Sequence, residues 1–429
     1  FTSKPGFSKV GSYTGNGSSS GPMVQTGFQP AFVMIKASSA AGSWNIVDDK
    51  RDTTNPATKR LFANLANAEG TGINVLDFYA NGFQIKNNDA GFNSNGVTYI
   101  YLAFAADGST ATPSLANSFA PEIYTGNGGT QAITGTGFKP DFVWIKKRSG
   151  AQVHNLYDSV RGINKVLYSD LTNAQATVTS ISSFDTNGFT LANGGGDTNA
   201  SGSTYVSWNW KAGGTPSINT DGTTTSIVSA NQAAGFSVVQ YTGDANSSST
   251  IGHGLTPNSQ PMLVIMKDLD SSNDWMVITN NLWSNPTAYF LKLNLTNALG
   301  TGTGNPYLVN NTVFKNTNRN TSLNNYIAYC FTSISGYSKV GSYSGTGAAQ
   351  TITTGFQPGF LMVKASSHAS SWYIVDSART PNYFLSPNSS AAEYTDSGKI
   401  TFTSNGFTLG STSYNNSGYT WIYLAIKEN

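Results

Sequence analysis

The sequence has little charge, one cysteine and few histidines, and each shortage excludes a class of function. Asp, Glu, Lys and Arg make up 11% of its 429 residues, against roughly 25% in a typical soluble protein. The formal net charge is +2 and no basic stripe stands out. Phosphate neutralisation needs clustered Lys and Arg, so neither nucleic acid nor an anionic membrane is expected as a partner. Cys330 is the one cysteine, which rules out a disulfide within the chain. It lies in the apolar run Tyr326–Phe331 and is expected as a small buried hydrophobe. The three histidines, His154, His253 and His368, form no paired metal motif. Each is expected as a polar surface or turn residue. A phosphate loop and a Cys-x-x-Cys pair are also missing. None of the 22 acidic residues is singled out by its neighbours as half of a glycosidase pair. No catalytic, cofactor-binding or metal residue is therefore assigned, and the chain is not expected to be an enzyme. No apolar run reaches the roughly 18 residues that span a bilayer as a helix, so membrane insertion is not expected.

What the sequence does have is repetition. One pattern recurs four times, opening at Tyr13-Thr14-Gly15, Tyr124-Thr125-Gly126, Tyr241-Thr242-Gly243 and Tyr343-Ser344-Gly345. The offsets between successive openings are 111, 117 and 102 residues, each the size of a small domain. After the opening comes an apolar strand ending in lysine: Ala31–Lys36, Asp141–Lys146, Met262–Lys267 and Gly359–Lys364. Such uninterrupted short runs suit strands covered on both faces. A second apolar strand follows, at Trp44–Asp48, His154–Asp158, Trp275–Ile278 and Trp372–Asp376. Each repeat closes on alternating aromatics, at Thr98–Phe104, Thr204–Trp210, Asn325–Phe331 and Thr420–Ala425. Asn-Gly-Phe recurs at residues 81, 187 and 405; Asn-Gly there predicts a hairpin turn with positive φ at both centres. Repeat 3 lacks it. Lys59–Ala66 resembles a short helix, but its counterparts in the other repeats read as strands, so a strand is expected there.

Many short strands with turn chemistry between them predict an all-β chain of four tandem antiparallel β-sandwich, jelly-roll-like domains. Their bounds are 1–106, 116–213, 233–333 and 334–429. Repeats 3 and 4 are joined almost directly and are expected to be the most rigidly coupled pair. Phe1–Tyr13 closely match Phe331–Tyr343, an offset of 330 residues. That match predicts a larger period above the smaller one, with residues 1–5 completing a preceding repeat or linker.

Three charged features recur. Asp48 with Arg51, Asp158 with Arg161 and Asp376 with Arg379 share the spacing Asp-x-x-Arg after the same strand, whereas repeat 3 has Thr279 and Leu282 there. A local ion pair fixing a corner, worth about 1 kcal/mol or less where exposed, is preferred to a ligand clamp. The strand-end lysines Lys36, Lys146, Lys267 and Lys364 are expected to snorkel past the core to water. The loops 87–91 and 194–199 could offer oxygens to Ca²⁺, yet each has one carboxylate and reads better as turn chemistry. Aromatics make up 12% of the chain; their alternation along strands suits a sandwich core, while exposed ones could stack on sugars.

Tyr124–Gly128, Gly137–Lys146, Asp158–Gly162 and Trp208–Gly214 together resemble an uncharacterised β-rich repeat family of tailed-phage virion structural proteins, tail-fibre-like and frequent in marine phages. Gly235–Gly243 and Gly252–Leu255 look like the next module in the series. The resemblance covers nearly the whole chain and carries no catalytic residues. It implies a non-enzymatic virion component of a fibre, an appendage or a capsid or tail decoration, located in an extracellular particle. Its partners would be other virion proteins and copies of itself, with a trimer expected, and host-surface glycan as a receptor. The alternative is a carbohydrate-binding adhesin or the accessory modules of a polysaccharide depolymerase, for which burial of nearly all eight Trp would be adverse.

Overall fold

The computed structural model describes residues 3, 7–105, 118–192, 196–255, 262–280, 288–302, 312–315, 323–379, 383–396, 399–410 and 412–428. The stretch between repeats 1 and 2, the segment before Phe7 apart from Ser3, Leu282 and part of the 194–199 loop lie outside these residues. The chain is all-β with antiparallel strand pairs, and the described residues include a helical turn at Gly196–Asn199 and a 3-10 turn at Thr412–Tyr414. No helix among the described residues is long and apolar enough to cross a membrane.

Each repeat builds its larger sheet in one strand order. In repeat 2 the opening strand Phe119–Thr125 pairs with the closing strand Thr204–Trp210, which pairs with the lysine strand Phe142–Lys147, which pairs with Asn155–Asp158. Repeat 4 repeats this order with Ser338–Ser344, Thr420–Lys427, Pro358–Ala365 and Trp372–Asp376. Repeat 1 does so with Ser8–Thr14, Thr98–Ala105, Pro30–Ala37 and Asn45–Asp48. In repeat 3 the same four strands are Phe236–Thr242, Asn325–Thr332, Met262–Asp268 and Met276–Thr279. A smaller sheet covers one face. In repeats 1, 2 and 4 it has three strands. Alternate residues of the larger sheet meet it in a private core, such as Val33, Ile35, Phe83 and Tyr99 in repeat 1.

The Asn-Gly-Phe hairpins differ from the expectation. Their two-residue loops are Ala80-Asn81, Thr186-Asn187 and Ser404-Asn405, because Tyr79 pairs with Gly82, Asp185 with Gly188 and Thr403 with Gly406. The glycine is the first strand residue, not a turn centre. Its φ is 138° in Gly188 and 157° in Gly406. A Cβ would stand 1.9 Å from the Ile133 carbonyl oxygen at Gly188 and 2.2 Å from that of Val24 at Gly82. The glycine is required by the close approach of the neighbouring strand. The stretch expected as a strand at Lys59–Ala66 is one only over Leu61–Phe62.

The chain forms two compact units. The first holds repeat 1, joined by Thr215–Ile218, where Ala80 donates to the Pro216 carbonyl and Asn81 exchanges two hydrogen bonds with Ile218. The second holds repeats 2, 3 and 4. These three share one further core, made by the faces of their larger sheets that turn away from the smaller ones. Their strands are thus buried on both sides; Pro358–Ala365 is buried throughout.

Candidate functional site

The shared core of repeats 2 to 4 gathers the recurring residues, so it is the place to look for function. Strand register fixes equivalent positions. Phe142, Leu263 and Phe360 correspond, as do Trp144, Ile265 and Met362, and Trp208, Tyr329 and Leu424. They meet across repeats: Phe142 stacks on Tyr329 with centroids 4.2 Å apart, and Trp210 meets Phe360 edge-on at 5.5 Å. Such pairs contribute beyond area burial, about 0.5–1.5 kcal/mol each.

Around this core runs a closed ring of equivalent hydrogen bonds. The Trp275 indole donates to the Tyr168 carbonyl at 2.8 Å, joining repeat 3 to repeat 2. The Trp372 indole donates to the Lys292 carbonyl at 2.9 Å, joining repeat 4 to repeat 3. His154 stands at the same position in repeat 2, and its Nε2 lies 3.0 Å from the Ser386 carbonyl of repeat 4. His154 Nδ1 accepts the Trp144 indole N–H at 3.0 Å, so Nε2 carries the ring proton and donates. A second set runs the opposite way across the same three junctions. The main-chain N–H groups of Gln175, Leu299 and Glu393 donate to the carbonyls of Leu269, Ser366 and Arg148, at 2.8, 2.8 and 3.0 Å. Three repeats of one chain thus close on one another by a heterologous contact used three times.

The Asp-x-x-Arg pairs of repeats 2 and 4 sit at these junctions, and repeat 1 carries the same pair. In each, one Asp oxygen accepts the Arg main-chain N–H and the other accepts Nε, at 2.7 Å in repeats 1 and 4 and 2.5 Å in repeat 2. The same Arg caps the carbonyl of Ile46, Leu156 or Ile374. This is the expected corner, but its burial was not expected. The side chains are 0–1% exposed in repeats 2 and 4 and about one-fifth exposed in repeat 1. A neighbouring repeat reaches each buried pair. The Tyr329 hydroxyl of repeat 3 donates to Asp158 at 2.8 Å, and the Trp208 indole of repeat 2 donates to Asp376 at 2.8 Å. Burial opposes the Arg161 charge, yet the Asp158 carboxylate outweighs it and the guanidinium pKa is raised. Burial pushes the Tyr329 hydroxyl well above its usual range. Repeat 4 has Leu424 at the donor position, and repeat 3, next in the ring, has Thr279 in place of the aspartate. Donor and acceptor are missing together.

Two sequence readings are corrected here. Lys146, Lys267 and Lys364 do not snorkel; they are 0–1% exposed. Each ammonium donates to the carbonyl of the next residue, as Lys36 also does, at 2.6–2.9 Å. Lys146 also reaches the Ser390 carbonyl and Lys364 the Thr296 carbonyl, both in a neighbouring repeat. The next repeat covers the path to water, so the charge is met by carbonyls instead. Burial lowers both ammonium pKa values, to about 8. His154 and His253 are not surface residues either; both are fully buried. Burial, with the Lys146 charge, holds His154 well below the usual imidazole range. His368 is exposed and stacks on Tyr419. Cys330 is buried, which raises its thiol pKa.

One set of residues was missed. Asn93, Asn199 and Asn415 are fully buried, and each accepts the N–H of the opening turn at Asn16, Asn127 or Thr346. Their signal was an asparagine at one fixed place before each closing strand. In the 87–91 loop, Asp89 accepts from Gly91 and Asn87 caps Asn74 and Val75, which is turn chemistry. Among the described residues, no group of three or more His, Cys, Asp or Glu could hold a metal ion. Six of the Trp, at 144, 208, 210, 275, 372 and 421, are at most 3% exposed.

Neither a curated protein nor a solved structure matches the chain. One family model does, over residues 1–107 and again over 115–429. The second stretch coincides with the three-repeat unit and the first with repeat 1. The chain therefore belongs to the family described as a domain of unknown function, DUF7483.

Proposed function

We propose that the chain is a non-enzymatic structural component of a phage virion, part of a fibre, an appendage or a capsid or tail decoration. Copies of itself and other virion proteins would be its partners, and repeated modules would give avidity for a host surface. One observation carries the non-catalytic part of the reading. The recurring polar residues, which a site would use, are consumed in joining repeats: Asp158, Asp376, Lys146, Lys364 and His154 are buried and paired across junctions. The resemblance of the repeats to virion proteins supports the setting. A glycan-binding adhesin is the weaker reading, because sugar stacking needs open aromatic faces and six of the Trp are closed.

Immunogold electron microscopy of purified tailed-phage particles from the producing culture tests this, with mass spectrometry of the same particles. Labelling at one place on every particle is expected. Absence of the chain from intact particles would overturn the reading.

A further inference from the structure

Repeat 1 has the same sheet face that repeats 2 to 4 bury against one another, and in repeat 1 that face is partly exposed. Register places Phe32, Met34, Ile46, Ile100 and Leu102 where repeat 4 has Phe360, Met362, Ile374, Ile422 and Leu424. Val10 likewise stands where repeat 4 has Val340. Repeat 4 keeps these residues at no more than 1% exposure. In repeat 1, Val10 is 43% and Ile100 39% exposed, Phe32, Met34 and Ile46 are partly exposed and Leu102 is 8% exposed, with Phe7 at 56% and Leu61 at 37% beside them. Side chains chosen for a dry interface are facing water, which marks an interaction surface.

We propose that three copies of this chain associate through repeat 1, in the ring arrangement that repeats 2, 3 and 4 make within one chain. Repeat 1 carries both halves of each ring hydrogen bond. Trp44 stands at the position of Trp275 and Trp372, since its N–H is held by Asn64 as theirs are by Asn294 and Asn388. Its indole N–H has no partner among the described residues. The Phe62 carbonyl stands at the position of the Lys292 and Ser386 carbonyls. Glu69 corresponds to Glu393, which its bond to Arg51 repeats, and Ser38 corresponds to Ser366. In the trimer, Trp44 donates to Phe62 of one neighbour, whose Glu69 N–H donates back to Ser38. A heterologous contact that closes at three within one chain closes at three between chains. Asp48 and Arg51 are already met within repeat 1 by each other, Glu69 and the Ile46 carbonyl, so an apolar Leu102 opposite them leaves no charge unpaired. The inference stands on this geometry and needs no virion; either can fail while the other holds.

Sedimentation equilibrium and light scattering of the full chain, over a dilution series, test it. The expected mass is three times the 45.4 kDa of one chain. Ile100→Asp is expected to abolish the trimer, and Trp44→Phe to weaken it by removing one donor per junction. Ile123→Asp is the control: Ile123 is 47% exposed, on the opening strand of repeat 2, and its substitution is expected to leave the trimer intact. Circular dichroism melts establish that each variant is folded. A monomer or dimer throughout the series would overturn the proposal and leave the face to modules of another chain. A trimer that survives both repeat 1 substitutions would also overturn it, because a different surface would then be responsible.

Discussion

Trp208 and Asp376, 168 positions apart, are joined by a 2.8 Å hydrogen bond from indole to carboxylate, and Arg379 lies over the same indole ring at 5.5 Å. One aromatic side chain of repeat 2 thus seals the charged corner of repeat 4. Trp208→Phe keeps an aromatic ring but removes the donor and the pyrrole half of a fully buried indole. It is expected to destabilise the three-repeat unit by about 1–3 kcal/mol, since a buried carboxylate loses one partner. Urea unfolding followed by far-UV circular dichroism measures this.

The three Asp-x-x-Arg pairs should respond unequally although their internal geometry is the same. Arg379→Met leaves Asp376 charged and buried, which costs about 3–5 kcal/mol. Arg51→Met leaves Asp48 beside water and is expected to cost about 1 kcal/mol or less. Equal losses of urea midpoint in the two variants would contradict the assignment of burial as the cause.

His154 predicts sensitivity to mild acid. An ordinary imidazole gains its proton near 6.5, whereas buried His154 does so well below that value. Between the two, the unfolded chain holds the extra proton, so stability is whole above pH 6.5 and declines as the pH falls beneath it. His154→Gln keeps a donor and an acceptor without titrating. Its unfolding midpoint should depend less on pH below 6.5 than that of the parent chain.

The buried lysines predict the opposite end of the scale. Lys146 and Lys364 lose their protons near pH 8 in the fold, against 10.5 ordinarily. The unfolded chain holds more protons between these values, so their contribution grows more favourable as pH rises through that window and is least favourable below 8. Replacing both by Met should remove this rise, measured as the difference in urea midpoint between parent and variant from pH 8 upwards.

Gly188→Ala tests the hairpin. The added Cβ would meet the Ile133 carbonyl oxygen at 1.9 Å, at a φ of 138° that side chains rarely adopt. A loss of about 1–3 kcal/mol is expected in chemical denaturation, and an unchanged midpoint would show that the neighbouring strand gives way.

The strands of a repeat were legible because their signals are local. Apolar runs, a terminal lysine and alternating aromatics report on faces a few residues apart. The role of the polar residues was not legible. A lysine at the end of an apolar strand reads the same whether its ammonium meets water or the Ser390 carbonyl 244 positions away. His154 reads as an exception among tryptophans, yet it performs their task with Nε2 in place of the indole nitrogen. Asn-Gly misled for a related reason, since the glycine answers to a third strand and not to its own turn.

The ring of repeats 2, 3 and 4 has no vacancy. A fourth member inserted among them would find every donor and carbonyl already taken. A gene that lengthens by copying a single repeat would therefore strand one sticky face, whereas copying three adds a closed set. The offset of 330 residues between the matching stretches at Phe1 and Phe331 spans three repeats. Repeat 1, which lies outside that closed set, is in this chain the one repeat whose ring-facing groups the set does not use.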